Sequence, residues 1–265
     1  MSALTSYIDA KHNNGIWKLR IDDIDPERSK KIYSEKIIKI LKEFSLDPDE
    51  IYFQTDHLDD YSFYIDQIPK EKTYFCECNR KKVGQLPHHD IGAIYDGQCL
   101  KKNIKHGALR IQMGKKNYSF KDLNLGEIKL DKKHVHDFII KTKKHFAYVF
   151  CCVVDDYLQN ITHVVRGNDL LYTSIQQIYL QNLCTFTNVN FFHHPILLSN
   201  KKKISKSNGV FKIHSENKRS ILLKIMKYLN QPEPKQNFSY RNLLKFFIEN
   251  WAPEKFPEEQ FIHID

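Results

Sequence analysis

The stretch Trp17-Lys-Leu-Arg-Ile-Asp-Asp-Ile-Asp-Pro-Glu-Arg28 alternates apolar and basic residues and then runs into three aspartates and a proline. Trp17 to Asp22 reads as a short buried strand. The segment Asp-Ile-Asp-Pro is a turn, and Ser29 to Phe44 is predicted as a helix because Ile37, Ile38, Leu41 and Phe44 share one face. Strand, turn and helix in that order make the repeating unit of an α/β fold. In an open α/β sheet, ligands sit beyond the carboxyl ends of the strands, so acids here can grip a substrate's ammonium group. The competing reading is that Asp23 and Asp25 cap the next helix and fix the turn.

Working outward, Asp59 to Ile68 gives a second helix, closed by Pro69. Thr73 to Cys99 is short, irregular and cysteine-bearing, as a metal-stapled insert would be. Ala108 to Met113, Tyr118 to Lys121 and Gly126 to Leu130 are predicted as strands of one small antiparallel sheet. Phe138 to Thr142 and Phe146 to Asp155 follow, and the second, apolar on both faces, is predicted as a central strand of a covered sheet. Thr173 to Cys184 reads as a helix and Pro195 to Leu198 as a strand. Ser220 to Leu229 and Tyr240 to Trp251 read as helices joined by a Pro-rich turn.

The chain has 265 residues, 41% of them apolar, which is enough for a real core and excludes a disulfide mini-protein or a disordered tail. Its longest apolar run, Phe146 to Val154, is nine residues, against the roughly 20 that a membrane-spanning helix needs. The first ten residues carry no basic segment followed by an apolar one, so a cytoplasmic location is expected. Six cysteines with a Cys-x-Cys fit metal ligands and buried thiols better than a disulfide framework. A net charge of +9 fits a polyanionic partner such as RNA and equally fits a Lys-rich genome.

Two further segments carry chemistry. His163-Val-Val-Arg-Gly-Asn-Asp-Leu-Leu-Tyr-Thr-Ser174 puts Arg166 and Asp169 on a predicted loop between strand and helix, where an arginine fork suits a carboxylate or phosphate. A surface ion pair is the plainer reading. Lys201-Lys-Lys-Ile-Ser-Lys-Ser-Asn-Gly209 has the composition of a mobile loop that meets phosphates, or of a solvated Lys run. In the insert, Cys76, Cys78 and Cys99 supply three thiolates, and one oxygen or nitrogen closes a tetrahedral site; on chemistry alone His88 and His89 compete with Tyr95 for that place. Cys151, Cys152 and Cys184 read as core.

Taken together, these segments resemble class I aminoacyl-tRNA synthetases of the glutamate group: an Arg-Ile-acid-Asp-Ile-Asp-Pro strand end, a Val-Val-Arg-Gly-x-Asp-Leu turn and a Lys-x-Ser-Lys-Ser loop. Cys76-Glu-Cys78, Ile94-Tyr-Asp-Gly-Gln-Cys99, Asp137-Phe-Ile-Ile140, Phe146-Ala-Tyr148 and Val153-Val-Asp-Asp156 narrow the resemblance to the glutamyl-queuosine tRNA(Asp) synthetase family, over nearly the whole chain. The resemblance implies a Rossmann-like α/β catalytic domain with a zinc-bearing insert and a small C-terminal helical domain. It also implies an ATP-dependent enzyme, with Mg2+, that activates glutamate and passes it to queuosine at the wobble position of tRNA(Asp). Asp22, Tyr148 and Arg166 would bind glutamate, and Lys203, Ser205 and Lys206 would bind ATP, with Lys206 catalytic. Structural zinc would be held by Cys76, Cys78, Tyr95 and Cys99. Family members usually have Glu at the place of Asp22, whose reach is about one methylene shorter.

The expected division is 1–72 and 131–210 for the two parts of the catalytic domain, 73–130 for the insert and 211–265 for the helical domain. Only some 55 residues follow the Lys-Ser loop, leaving no room for the large anticodon-reading domain of a full glutamyl-tRNA synthetase. A monomer with no membrane partner is expected. The sequence begins inside what resembles the first helix of the family, without the preceding strand and its His-x-Gly-His type signature. A start codon placed too far downstream and a truncated copy both account for this, and a chain extended upstream is expected to be the more active. Two rival readings stay open: a glutamyl-tRNA synthetase fragment that charges tRNA(Glu), and an inactive zinc-containing RNA-binding module.

Overall fold

The structure is a computed structural model, and it describes residues 1–25, 27, 29–199, 217–264 and the backbone of 202–203. In chain order the elements are α1 (Ser2–His12), β1 (Lys18–Ile21), α2 (Lys31–Glu43), β2 (Glu50–Phe53), α3 (Leu58–Gln67), β3 (Thr73–Cys76), α4 (Arg80–Val83), β4 (His88–His89) and β5 (Gly92–Ala93). Then come β6 (Ala108–Ile111), β7 (Tyr118–Asp122), β8 (Gly126–Leu130), β9 (Phe138–Lys141), α5 (Tyr148–Leu158), β10 (His163–Gly167), α6 (Thr173–Leu183), β11 (Asn190–His194) and β12 (Ile196–Ser199). The last are β13 (Lys202–Lys203), α7 (Lys218–Tyr228), α8 (Tyr240–Glu249) and β14 (Phe261–His263).

Parallel pairing of β1 with β2 and of β10 with β11 gives the Rossmann-like frame. Apolar side chains divide into two large cores that contain helices of different groups. One joins α1, α2, α7 and α8 through Leu4, Ile8, Leu41, Phe44, Leu222, Met226, Leu243 and Phe247. The other joins α3, α5 and α6 through Tyr61, Ile65, Phe150, Val153, Ile175 and Leu180. Period-2 alternation sends neighbouring side chains of a strand to opposite faces. Phe192 thus enters the first core while Phe191 and His193 stack on the other side. The C-terminal helices share the core of α1 and α2 rather than building one of their own. No helix among the described residues is long and apolar enough to cross a membrane.

Three expectations are corrected. Phe146 to Asp155 is not a strand: Tyr148–Leu158 is helix α5, with Val149 through Asp156 all buried. Its stretch Val149 to Val154 packs among α3, α6 and β9 and is apolar all round, and an apolar run without periodicity looks the same as a covered strand. The strands 108–130 do not form one sheet. β6 sits between β3 and β9, while β7 and β8 make a separate hairpin. Arg166 lies within β10, not on a loop. The loop Lys201–Gly209 falls outside the described residues apart from the backbone of β13, where Lys203 pairs with Leu198.

Because Phe150 has no exposed surface, Phe150→Ala should cost about 3–5 kcal/mol in denaturant unfolding. The same change at the half-exposed Tyr33 of α2 should stay within about 0.5 kcal/mol.

Candidate functional site

The residues of the candidate site come from the end of β1, from α5 and from β10. β1 ends at Ile21, so Asp22 stands just past its carboxyl end, with Arg20 inside the strand. Tyr148 begins α5, and Cys152, Asp155 and Asp156 follow at spacings of four, seven and eight, which puts them along one side of the helix. β10 supplies Arg166.

Arg20 anchors the floor. Its Nη1 donates to Asp156 Oδ1 at 2.8 Å, and its Nε lies 3.4 Å from Asp155 Oδ2 and 3.9 Å from Asp22 Oδ1. Asp155 is completed by donors from other elements, Tyr61 Oη at 2.7 Å and Gln54 Nε2 at 2.8 Å. Burial works against the charge of Arg20, but the carboxylates of Asp156 and Asp155 hold the guanidinium firmly protonated. The ion pair is therefore closed within the protein.

Asp22 differs from its neighbours. Its side chain keeps 49% of its exposure, while desolvation by the cleft walls pushes its carboxyl above the ordinary range. Arg20 pulls the other way, and Asp155, Asp156 and Asp23 add to the upward push. Asp23 turns aside and accepts from the backbone N–H and hydroxyl of Thr55, both at 2.9 Å. Asp25 fixes the turn by accepting from the backbone of Glu27 and Ser29. Neither Asp23 nor Asp25 caps α2, whose N-cap is Lys30 with no side-chain bond.

Arg166 is buried, and among the described residues every acceptor bonded to it is neutral. Nη2 donates to Ser174 Oγ and Gln177 Oε1, each at 2.7 Å, and to the Leu170 carbonyl at 3.3 Å, while Nε donates to His193 Nε2 at 3.1 Å. Tyr148, half-exposed, lies close enough to both Arg166 and Cys152 to feel their charge. Desolvation pushes the Cys152 thiol up to about 12, so it is a neutral wall of the cleft. Asp22, Tyr148 and Arg166 are thus brought together, whereas Ser205 and Lys206 lie outside the described residues, as do the side-chain contacts of Lys203.

A second cluster lies in the insert. The sulfurs of Cys76, Cys78 and Cys99 all lie within 4.8 Å of one another, and Cys78 is 3.5 Å from Cys99. A tetrahedral zinc with bonds of about 2.3 Å spaces its sulfurs by about 3.8 Å, so the donor set fits that ion. The Tyr95 hydroxyl is 3.4 Å from Cys76 Sγ and 3.7 Å from Cys78 Sγ. His89 instead stacks on His134 at 4.0 Å, and His88 is exposed. Arg110 lies 3.7 Å from the centre of the Tyr95 ring. Desolvation raises the Cys76 thiol, but Tyr95 and the nearby Arg110 guanidinium outweigh it and bring it down to about 7. Only glycine fits at 107, since a Cβ there would collide with the Cys76 carbonyl.

The sequence gives no functional role to Arg20, Asp155, Asp156 or His193, and reads Cys152 as core, where it lies. The signal for the first three was an arginine in an apolar strand and two adjacent acids in an apolar run, charges that must meet when buried.

Residues 1–224 match the family described as tRNA synthetases class I (E and Q), catalytic domain, which makes the protein an enzyme of that class. A glutamyl-Q tRNA(Asp) synthetase of Vibrio parahaemolyticus is 37% identical over 98% of this chain and 89% of its own length. One of Serratia proteamaculans is 31% identical over 100% of this chain and 89% of its own. The chain belongs to the glutamyl-Q tRNA(Asp) synthetase family. A glutamate-tRNA synthetase from Elizabethkingia anophelis has the same fold, with a TM-score of 0.79 at 20% identity, and this chain spans 64% of it.

The raised Asp22 carboxyl has a stability consequence. A folded-state value above the unfolded one means that the native state binds more protons, so stability falls as pH rises through the window from about 4 upward. Asp22→Asn should therefore raise the melting temperature at neutral pH by a small increment, and that increment should vanish below about pH 4 in a calorimetric pH series.

Proposed function

We propose that this enzyme activates glutamate with ATP and transfers the glutamyl group to queuosine at the wobble position of tRNA(Asp). One observation carries the reading of the amino-acid pocket. On either side of Tyr148 stand a half-exposed carboxylate, Asp22, and a buried guanidinium, Arg166, whose hydrogen-bond partners are neutral. Arg20, the other guanidinium, is already neutralised by two carboxylates. The vacancy in charge is one acid and one base, which complements an ammonium group and a carboxylate on a single ligand.

In the reaction the α-carboxylate of glutamate attacks the α-phosphate of ATP, forming glutamyl-adenylate and releasing pyrophosphate. The adenylate then yields its glutamyl group to a hydroxyl of the queuosine cyclopentenediol, with AMP leaving. On this reading Asp22 accepts hydrogen bonds from the ammonium group, and Tyr148 and Arg166 line the pocket and orient the carboxylate. Lys206 would neutralise charge as pyrophosphate departs, with Lys203 and Ser205 beside it. The enzyme's contribution is positioning and charge neutralisation. Residues 70–145 carry 18 Lys and Arg against 8 Asp and Glu, a balance of +10 when the whole chain is +9. That concentration of charge supports docking of the insert and its flanks on RNA phosphates. An anticodon loop suits such a partner because its bases are unstacked and readable.

Zinc would be held by Cys76, Cys78, Cys99 and Tyr95, and would supply a structural cross-link rather than chemistry. Protein purified without added metal should contain about one zinc per chain by elemental analysis. A metal-free sample whose insert is fully folded would remove the site. Cys78→Ser should loosen the insert more than the parallel strands, read by hydrogen exchange.

Substrate choice is checked by acid-gel charging. Queuosine-bearing tRNA(Asp) should be glutamylated, and tRNA(Glu) should not. Strong charging of tRNA(Glu) would favour the synthetase fragment, and charging of neither would favour the RNA-binding module. Lys206→Ala should slow glutamate-dependent pyrophosphate exchange by about two to three orders of magnitude.

A further inference from the structure

Strand pairing in parallel register sets Arg166 of β10 beside His193 of β11. The Arg166 Nε–H donates to His193 Nε2 at 3.1 Å. An arginine Nε always carries its hydrogen, so His193 Nε2 must be the lone-pair nitrogen and the ring proton sits on Nδ1. Nδ1 in turn lies 2.6 Å from Asp122 Oδ2, the length of a hydrogen bond to a carboxylate. Asp122, the last residue of β7, and His193 have no exposed side-chain surface. The second oxygen of Asp122 accepts from the backbone N–H groups of Asn124 and Leu125 at 3.0 Å and of His193 at 3.3 Å. The carboxylate is thereby fixed from two sides, and one imidazole links it to the guanidinium.

The geometry of the guanidinium gives this chain a purpose. His193 takes Nε, and Ser174, Gln177 and Leu170 all take Nη2, so the protein occupies the Nε–Nη2 edge. None of these four bonds uses Nη1. The three acceptors at Nη2 hold a single point, and the bond at Nε is what stops the planar group from turning about it. We propose that His193, backed by Asp122, is a positioning residue that aims Arg166 at the carboxylate of glutamate. This rests on the reading of Arg166 as a pocket residue given above. Burial, together with the nearby Arg166 charge, outweighs Asp122 and keeps the imidazole neutral, as an acceptor at Nε2 requires.

Two near-isosteric substitutions separate positioning from simple bracing of the β7–β8 hairpin. His193→Asn keeps an N–H where Nδ1 was, and so the bond to Asp122, but offers nothing to Arg166. His193→Gln places an oxygen near the former Nε2 and so serves Arg166, but loses Asp122. Titration calorimetry of the full chain with L-glutamate, and separately with ATP, reads the difference. In His193→Asn the Kd for glutamate should rise about tenfold or more while that for ATP stays within about twofold. In His193→Gln glutamate affinity should be largely kept, although its melting temperature falls below that of the Asn variant. Wild-type glutamate affinity in His193→Asn, or the reverse ranking of the two variants, would overturn the proposal. Arg166→Ala is the control for the pocket itself. Unchanged glutamate affinity there, or no binding by the wild type, would overturn the reading of Arg166 instead. Imidazole nitrogen NMR of the wild type needs no folded variant. His193 should be neutral with its proton on Nδ1, and an Nε2–H or doubly protonated ring at neutral pH would overturn the proposal directly.

Discussion

Two consecutive carboxylates, Asp155 and Asp156, are buried in the last turn of a helix that is apolar everywhere else, and the guanidinium of Arg20 closes them. The C-terminal end of a helix already carries partial negative charge, so acids there are doubly unfavourable without a cation. Arg20 supplies it from β1, while Gln54 and Tyr61 bring donors from the chain after β2 and from α3. One buried network therefore ties β1, the turn after β2, α3 and α5 together. Removing Arg20 would strand two carboxylates in the interior, a cost of several kcal/mol that a surface pair does not carry.

This constraint also prepares the cleft. With Arg20 committed to the floor, Asp22 two residues later is left as the accessible acid, and its carboxyl is raised by the crowding that the floor creates. Arg166 is treated differently. Its surroundings offer hydroxyl, amide, carbonyl and imidazole acceptors, which satisfy its geometry without cancelling its charge. Holding a guanidinium by neutral groups keeps the field available to a ligand, and it costs desolvation that a bound carboxylate would offset.

The insert is built on another principle. Its strands are short, and its own apolar cluster is small, centred on Cys76, Tyr95 and Cys99. A core of that size cannot order twenty or more residues, so three thiols within one coordination radius, with Arg110 against the Tyr95 ring, take its place. The β7–β8 hairpin that follows is anchored instead on β11, through Asp122 and His193 and through the Leu123 N–H to the Phe191 carbonyl at 2.8 Å.

Local patterns in the sequence settled the strand of Lys18–Ile21, the amphipathic helices α2, α3, α6 and α8, and the grouping of three cysteines, because periodicity and ligand spacing are short-range properties. The motifs around Asp22, Tyr148 and Arg166 marked these residues as belonging to one site, though they are up to 144 positions apart. Tertiary structure alone decided that 148–158 is helix, since its covered middle, Val149–Val154, lacks the periodicity that would distinguish helix from strand. It alone decided that Asp23 serves Thr55 while Asp22 stays half-exposed beside Arg20, because adjacent residues past a strand end differ only in direction. And it alone joined Asp122 to His193 and His193 to Arg166: each is an unremarkable residue in its own segment, and the link exists only because parallel pairing and a hairpin 71 residues away bring them into one buried line.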